Sequence, residues 1–75
     1  MKTIMYCKID GEYICGYQLI IEFDAITKKI KENHYLHYND DRLVLIKQED
    51  HPYREIDELI ASRKTLGFEI IKKEV

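Results

Sequence analysis

The residues of this 75-residue chain best suited to chemistry are three histidines, His34, His37 and His51, and two cysteines, Cys7 and Cys15. The stretch His34 to Asp41, HYLHYNDD, gathers two of the histidines with Tyr35, Tyr38, Asp40 and Asp41. A metal site needs ligands that converge. His-x-x-His does so on a helix, whereas on a strand positions i and i+3 point to opposite faces. The surrounding residues read as a strand, so His34 and His37 are expected to diverge, and His51, Asp40, Asp41 or Asp50 could complete a site only if the fold brought them together. With no Cys-x-x-Cys or His-Glu-x-x-His spacing, the sequence points to no metal and no cofactor. A thiol nucleophile needs a base and an orienting group in contact with it. The expected hairpin register sends Cys7 and Cys15 to opposite faces, so they read as packing thiols with no disulfide and no catalytic role. Gly11, Gly16 and Gly67 are too scattered to form a phosphate-binding loop.

The remaining candidates are for recognition. Six tyrosines against two phenylalanines suit half-exposed sheet surfaces and interfaces. Tyr35 and Tyr38 are the interface candidates among them, while Tyr6, Tyr13 and Tyr17 read as core or rim. Charge is unevenly placed: residues 1–38 balance, residues 39–58 carry a net −4, and residues 59–75 a net +2. Asp40, Asp41, Glu49, Asp50, Glu55, Asp57 and Glu58 form the acidic run. Acids favour turns and helix N-termini; as a surface, Asp40, Asp41, Glu49, Asp50, Glu55 and Glu58 with Tyr35 and Tyr38 would dock a basic partner protein. A competing surface, Lys28, Lys29 and Lys31 with Tyr35, would stack and neutralise single-stranded nucleic acid.

The elements that must position these residues are legible to different degrees. Asp10-Gly11 between two strand-like runs is the pair preferred by two-residue hairpins. Tyr13, Cys15, Tyr17, Leu19, Ile21 and Phe23 alternate with their neighbours at the period of a long strand. A turn at Asp10-Gly11 sets Ile9 opposite Glu12, Cys7 opposite Ile14, Tyr6 opposite Cys15, Met5 opposite Gly16 and Ile4 opposite Tyr17. The second face of that hairpin, with Met5, Cys7, Ile14 and Ile20, is more apolar than a solvent face and calls for cover by a helix or by a second subunit in a homodimer. Asp24 to Asn33 reads either as a helix capped by Asp24 or, preferably, as a turn over 24–28 followed by a strand over 29–38 with Ile30, Leu36 and Tyr38 on one face. Asn39-Asp40-Asp41 is a second turn and 42–48 a strand. Asp50-His51-Pro52 reads as the start of an amphipathic helix with Tyr53, Ile56, Leu59, Ile60 and Leu66 buried, stopped by Gly67. Phe68 to Lys73 closes as a short strand.

The expected fold is one α+β domain over residues 1–75: a small antiparallel sheet of about four to five strands on an N-terminal hairpin, with one amphipathic helix near the C-terminus. A chain of this size has a core worth only about 3–5 kcal/mol, which favours a partner subunit. No apolar run approaches the ~20 residues of a membrane span and the first residues lack a signal-peptide pattern, so a cytoplasmic protein is expected. Twelve Ile and nine Lys against two Ala and three Arg suggest a low-GC gene. The expectation is a small non-catalytic regulator or inhibitor acting through protein–protein contact. Small antagonists of host defence carried by phages and mobile elements, such as anti-CRISPR proteins, are similar in size and composition. The alternative is a small nucleic-acid-binding protein or transcriptional regulator.

Overall fold

The computed structural model describes residues 1–9, 12–38 and 40–74, and all their side chains except those of residues 7–16. The backbone forms β1 (Lys2–Ile9), β2 (Glu12–Asp24), β3 (Lys29–His37), β4 (Leu43–Pro52), a 3-10 turn (Tyr53–Glu55), α1 (Ile56–Thr65) and β5 (Phe68–Glu74). The five strands make one sheet in the order β4-β3-β2-β1-β5, every neighbouring pair antiparallel. This is the expected α+β architecture. The chain walks outward from β1 to β4, and α1 carries it back so that β5 closes on the free side of β1.

Strand alternation gives the sheet two distinct faces. Met5, Leu19, Ile21 and Ile30 point to one side and form the core with Leu59 of α1 and Phe68 of β5, with Tyr17, Ile56, Ile60 and Ile70 packed around them. The other side carries Ile4, Tyr6, Gln18, Ile20, Asn33 and Tyr35, paired residue by residue across the strands, and His37 opposite Leu43. No described helix covers that side.

The hairpin reading of residues 24–33 holds. Residues 25–28 turn, Asp24 Oδ1 accepts the backbone N–H groups of Ile26 and Thr27 at 2.9 and 3.4 Å, and Lys28 closes the turn at φ 58°. Those two amide bonds hold the Asp24 carboxyl below its ordinary value. Gly67, at φ 102°, stops α1 as expected, because a left-handed residue there ends a helix without a Cβ clash.

Four expectations need correction. Ile9 does pair with Glu12, while the turn residues Asp10 and Gly11 lie outside the described residues, but the register slips between Lys8 and Tyr6. Tyr6 therefore faces Gln18, Met5 faces Leu19 and Ile4 faces Ile20. A three-residue slip is odd, so it exchanges the faces of β1. Met5, expected in a subunit interface with Cys7, Ile14 and Ile20, is consequently a core residue with 0% exposure. Ile20 does lie on the helix-free face, where its neighbours bury it to 8%; the side chains of Cys7 and Ile14 lie outside the described residues. Second, Asp50, His51 and Pro52 belong to β4, because β3 continues to pair with it as far as Lys29 opposite Pro52; the helical segment starts only at Tyr53. Third, Tyr53 and Leu66 are exposed and leave Leu59 as the one buried residue of α1. Fourth, Tyr38 lies past the end of β3 and is exposed, so it does not share a strand face with Ile30 and Leu36.

The slipped register predicts that Met5→Ala destabilises by about 2–5 kcal/mol, as a cavity in a packed core does, with no dependence on protein concentration. Urea denaturation at two concentrations checks this, with Ile26→Ala, at a residue 93% exposed, as the control that stays within about 0.5 kcal/mol.

Candidate functional site

Two features stand out from an ordinary small sheet. The first is a charged cluster under the helix. Glu32 sits in the middle of β3 on the core face and has no exposed surface. It is opposite Ile21 on one side and Glu49 on the other. Directly opposed carboxylates repel, and a buried one without a partner is costly. Positive groups supply the balance. Arg63, one turn after Leu59 on α1, donates from Nε to Glu32 Oε2 and from Nη2 to Glu32 Oε1, the latter over 2.8 Å. His51 Nε2 lies 3.1 Å from Glu32 Oε1 and 3.8 Å from Glu49 Oε2. His34 Nε2 lies 3.5 Å from Glu32 Oε1, and its Nδ1 is 2.6 Å from the Tyr17 hydroxyl. Lys47, next along the same face of β4, holds Glu49 Oε1 at 2.9 Å. Burial alone would push the Glu32 carboxyl up. Hydrogen bonds from Arg63 and His51, with the charges of Arg63 and His34, outweigh it and hold the group at about 2.

The second feature is the edge strand β4. Its first half, Leu43-Val44-Leu45-Ile46, is uniformly apolar with each side chain 41–49% exposed. A bulge separates this half from the second: Lys47 pairs with His34 and Leu45 with Tyr35, leaving Ile46 as the extra residue. Exposed strand edges present unpaired N–H and C=O groups, and natural sheets protect them with charges, prolines and bulges. The second half of β4, Lys47 to Pro52, has charges and a proline, and the opposite edge, β5, carries Glu69, Lys72, Lys73 and Glu74. Residues 43–46 have none beyond the bulge that ends them. Beside them Arg42 lies over the Tyr38 ring at 4.7 Å and pairs with Asp40 at 2.8 Å, while Asp41, left-handed at φ 66°, projects into solvent.

The residues singled out for partner binding are thus distributed. Tyr38, Asp40 and Asp41 sit at the entry to β4, beside the apolar edge. Tyr35 is half-buried on the helix-free face opposite Leu45. Glu49 turns inward to the Glu32 cluster, and Asp50 faces the other side, opposite Lys31. Glu55 is in the 3-10 turn and Glu58 on α1. The acidic run is not one patch, because alternation along β4 splits it between two faces. Of the nucleic-acid candidates, Lys29, Lys31 and Tyr35 share the helix-free face, Lys28 is in the turn, and Lys31 is paired with Asp24 at 3.5 Å. His34 and His37 diverge as expected: His37 Nδ1 contacts the Tyr6 hydroxyl on the helix-free face, and its Nε2 is 3.5 Å from Asp41.

Sequence reasoning missed Glu32 and Arg63. Its one available signal was the repetition of Glu-x-His, at Glu32/His34 and Glu49/His51, since residues two apart on a strand share a face. No family model, no curated protein and no solved structure matches this chain.

Removing Arg63 alone leaves a buried carboxylate without its main counter-ion, so Arg63→Met is expected to cost about 3–5 kcal/mol in urea denaturation, and Glu32→Leu with Arg63→Met much less. The stability that Glu32 contributes is present above its ordinary value of 4.5 and is lost as pH falls toward about 2. The urea midpoint of the wild type should drop over that window, with Arg63, His51, His34 and Glu49 facing the group throughout, and Glu32→Gln should flatten the drop.

Proposed function

We propose that this chain is a non-catalytic protein-binding module that receives an extended segment of a partner along the first half of β4. The observation that supports it is the run Leu43 to Ile46, four consecutive apolar residues on an edge strand whose other half, like the other edge of the sheet, is protected by charge. Strand addition uses both assets of such an edge: backbone groups give affinity, and alternate side chains give specificity. Leu43 and Leu45 present one row on the helix-free face and Val44 presents the other on the helix face. A matching segment alternates apolar residues, and the exposed Asp41 with Tyr38 favours a basic residue flanking it. By occupying a strand that its partner uses elsewhere, the module acts as a regulator or inhibitor. The low-GC composition suits a phage or mobile element that targets a host protein. No described helix is long and apolar enough to cross a membrane.

Selection of displayed random peptides against the tag-free protein tests the reading. Binders are expected to alternate apolar residues and to slow amide hydrogen exchange at residues 43–46. Leu45→Lys is expected to weaken them by at least about tenfold, equivalent to about 1.4 kcal/mol, while the chain stays folded. Peptides that protect other amides, or that bind Leu45→Lys unchanged, overturn it.

A further inference from the structure

Two copies of one short pattern, Glu32-Asn33-His34 on β3 and Glu49-Asp50-His51 on β4, meet on the core face with Glu32 directly opposite Glu49. Strand alternation turns all four functional side chains to the same side. One ligand atom from each of Glu32, Glu49 and His51 lies within 4.8 Å of the other two. Each carboxylate also has an oxygen paired with a cation: Oε2 of Glu32 with Arg63 and Oε1 of Glu49 with Lys47. The inward oxygens, Glu32 Oε1 and Glu49 Oε2, both face His51 Nε2, at 3.1 and 3.8 Å.

An independent observation points to a ligand at this place. His34 is 8% exposed, and its Nε2 is a buried side-chain atom with no hydrogen-bond partner, directed at Glu32 Oε1 from 3.5 Å. Its other ring nitrogen is fixed by the Tyr17 hydroxyl at 2.6 Å, the kind of outer partner that orients a metal-binding imidazole. An ion between Nε2 and Glu32 Oε1 would take the place of the proton through which a charged His34 pairs with that carboxylate.

From this geometry we propose that Glu32, Glu49 and His51, with His34 as the fourth donor, form a site for one borderline divalent transition-metal ion of the zinc or cobalt type. Two imidazole nitrogens and two carboxylate oxygens match the mixed nitrogen and oxygen preference of these ions and not that of calcium or magnesium. Binding draws the Glu32, Glu49 and His51 donors, now within 4.8 Å of one another, onto one centre and requires the Arg63 Nη2 contact with Oε1 to yield while its Nε keeps Oε2. The half-exposed Glu49 and partly exposed His51 give the ion its entry from solvent. The ion ties β3 to β4 beneath α1.

The test uses the tag-free, chelator-treated full chain. Titration with Co2+ is expected to give the intense visible bands of a four-coordinate nitrogen and oxygen site, saturating at one ion per chain and displaced by Zn2+. Glu49→Gln and His51→Ala, both at solvent-accessible positions, should each weaken binding by at least about tenfold, while His37→Ala on the opposite face leaves it unchanged. Should either variant fail to fold, the wild type still decides: on adding Zn2+, the imidazole 15N resonances of His34 and His51 shift and those of His37 do not. Absence of Co2+ binding to the folded chain, or Zn2+ shifts confined to His37, overturns the proposal and leaves Arg63 as the only counter-ion Glu32 needs.

Discussion

The Glu32–Arg63 ion pair is the constraint around which the fold is arranged. A carboxylate with no exposed surface in the middle of a sheet must be met by a cation, and Arg63 comes from the last turns of α1, the one α-helix among the described residues. Leu59 and Arg63 are four residues apart and so lie on one stripe of α1, the first filling the apolar core and the second crossing to β3. Since Leu59 is the only buried side chain of the helix, apolar packing alone would leave its position weakly specified. The ion pair specifies it, in the way buried polar contacts fix register at some expense of stability.

That placement explains the bare edge. Ten helical residues span about 15 Å and a helix is about 10 Å wide, whereas five strands spread over about 20 Å. One helix lying near β5 and reaching toward β3 with an arginine covers the centre of one face and leaves the outer strand uncovered. The second half of β4 joins the cluster through His51 and Glu49. The first half lies beyond it, and nothing in the described chain shields Leu43 to Ile46.

How much of this could be read from sequence depended on whether the determinant was local. The alternation of β2, the turn over 24–28 and the Gly67 stop are each written in a few adjacent residues and agree with the structure, which adds the Asp24 side chain as the cap of that turn. The slip between Lys8 and Tyr6 is not so written, because a register irregularity reflects pairing with a distant strand and changes no local composition; it moved Met5 from an expected interface to the core. Pro52 misled for a related reason. It looks like a helix start, yet at the end of an edge strand it costs no ladder hydrogen bond. Glu49 reads as a surface acid and Glu32 escapes notice because their cations, Lys47 and Arg63, become neighbours only through alternation and a helix crossing. The run Leu43 to Ile46 was recognisable as a strand, but its place at the edge is a property of strand order.

The bulge at Ile46 joins the two features into one device. From Lys47 through Glu49 to His51, odd-numbered residues of β4 face the helix. Without an extra residue that alternation would also turn Leu45 and Leu43 under the helix side. The bulge reverses it, so that Val44 lies opposite Leu36 on the helix side while Leu45 and Leu43 lie opposite Tyr35 and His37 on the helix-free side. The same irregularity therefore keeps the charged half of β4 aimed at Glu32 and places two leucines on the face that no helix covers. A strand with a strict period of two could present the histidine and carboxylate inward, or those two leucines outward, but it could not do both within these ten residues.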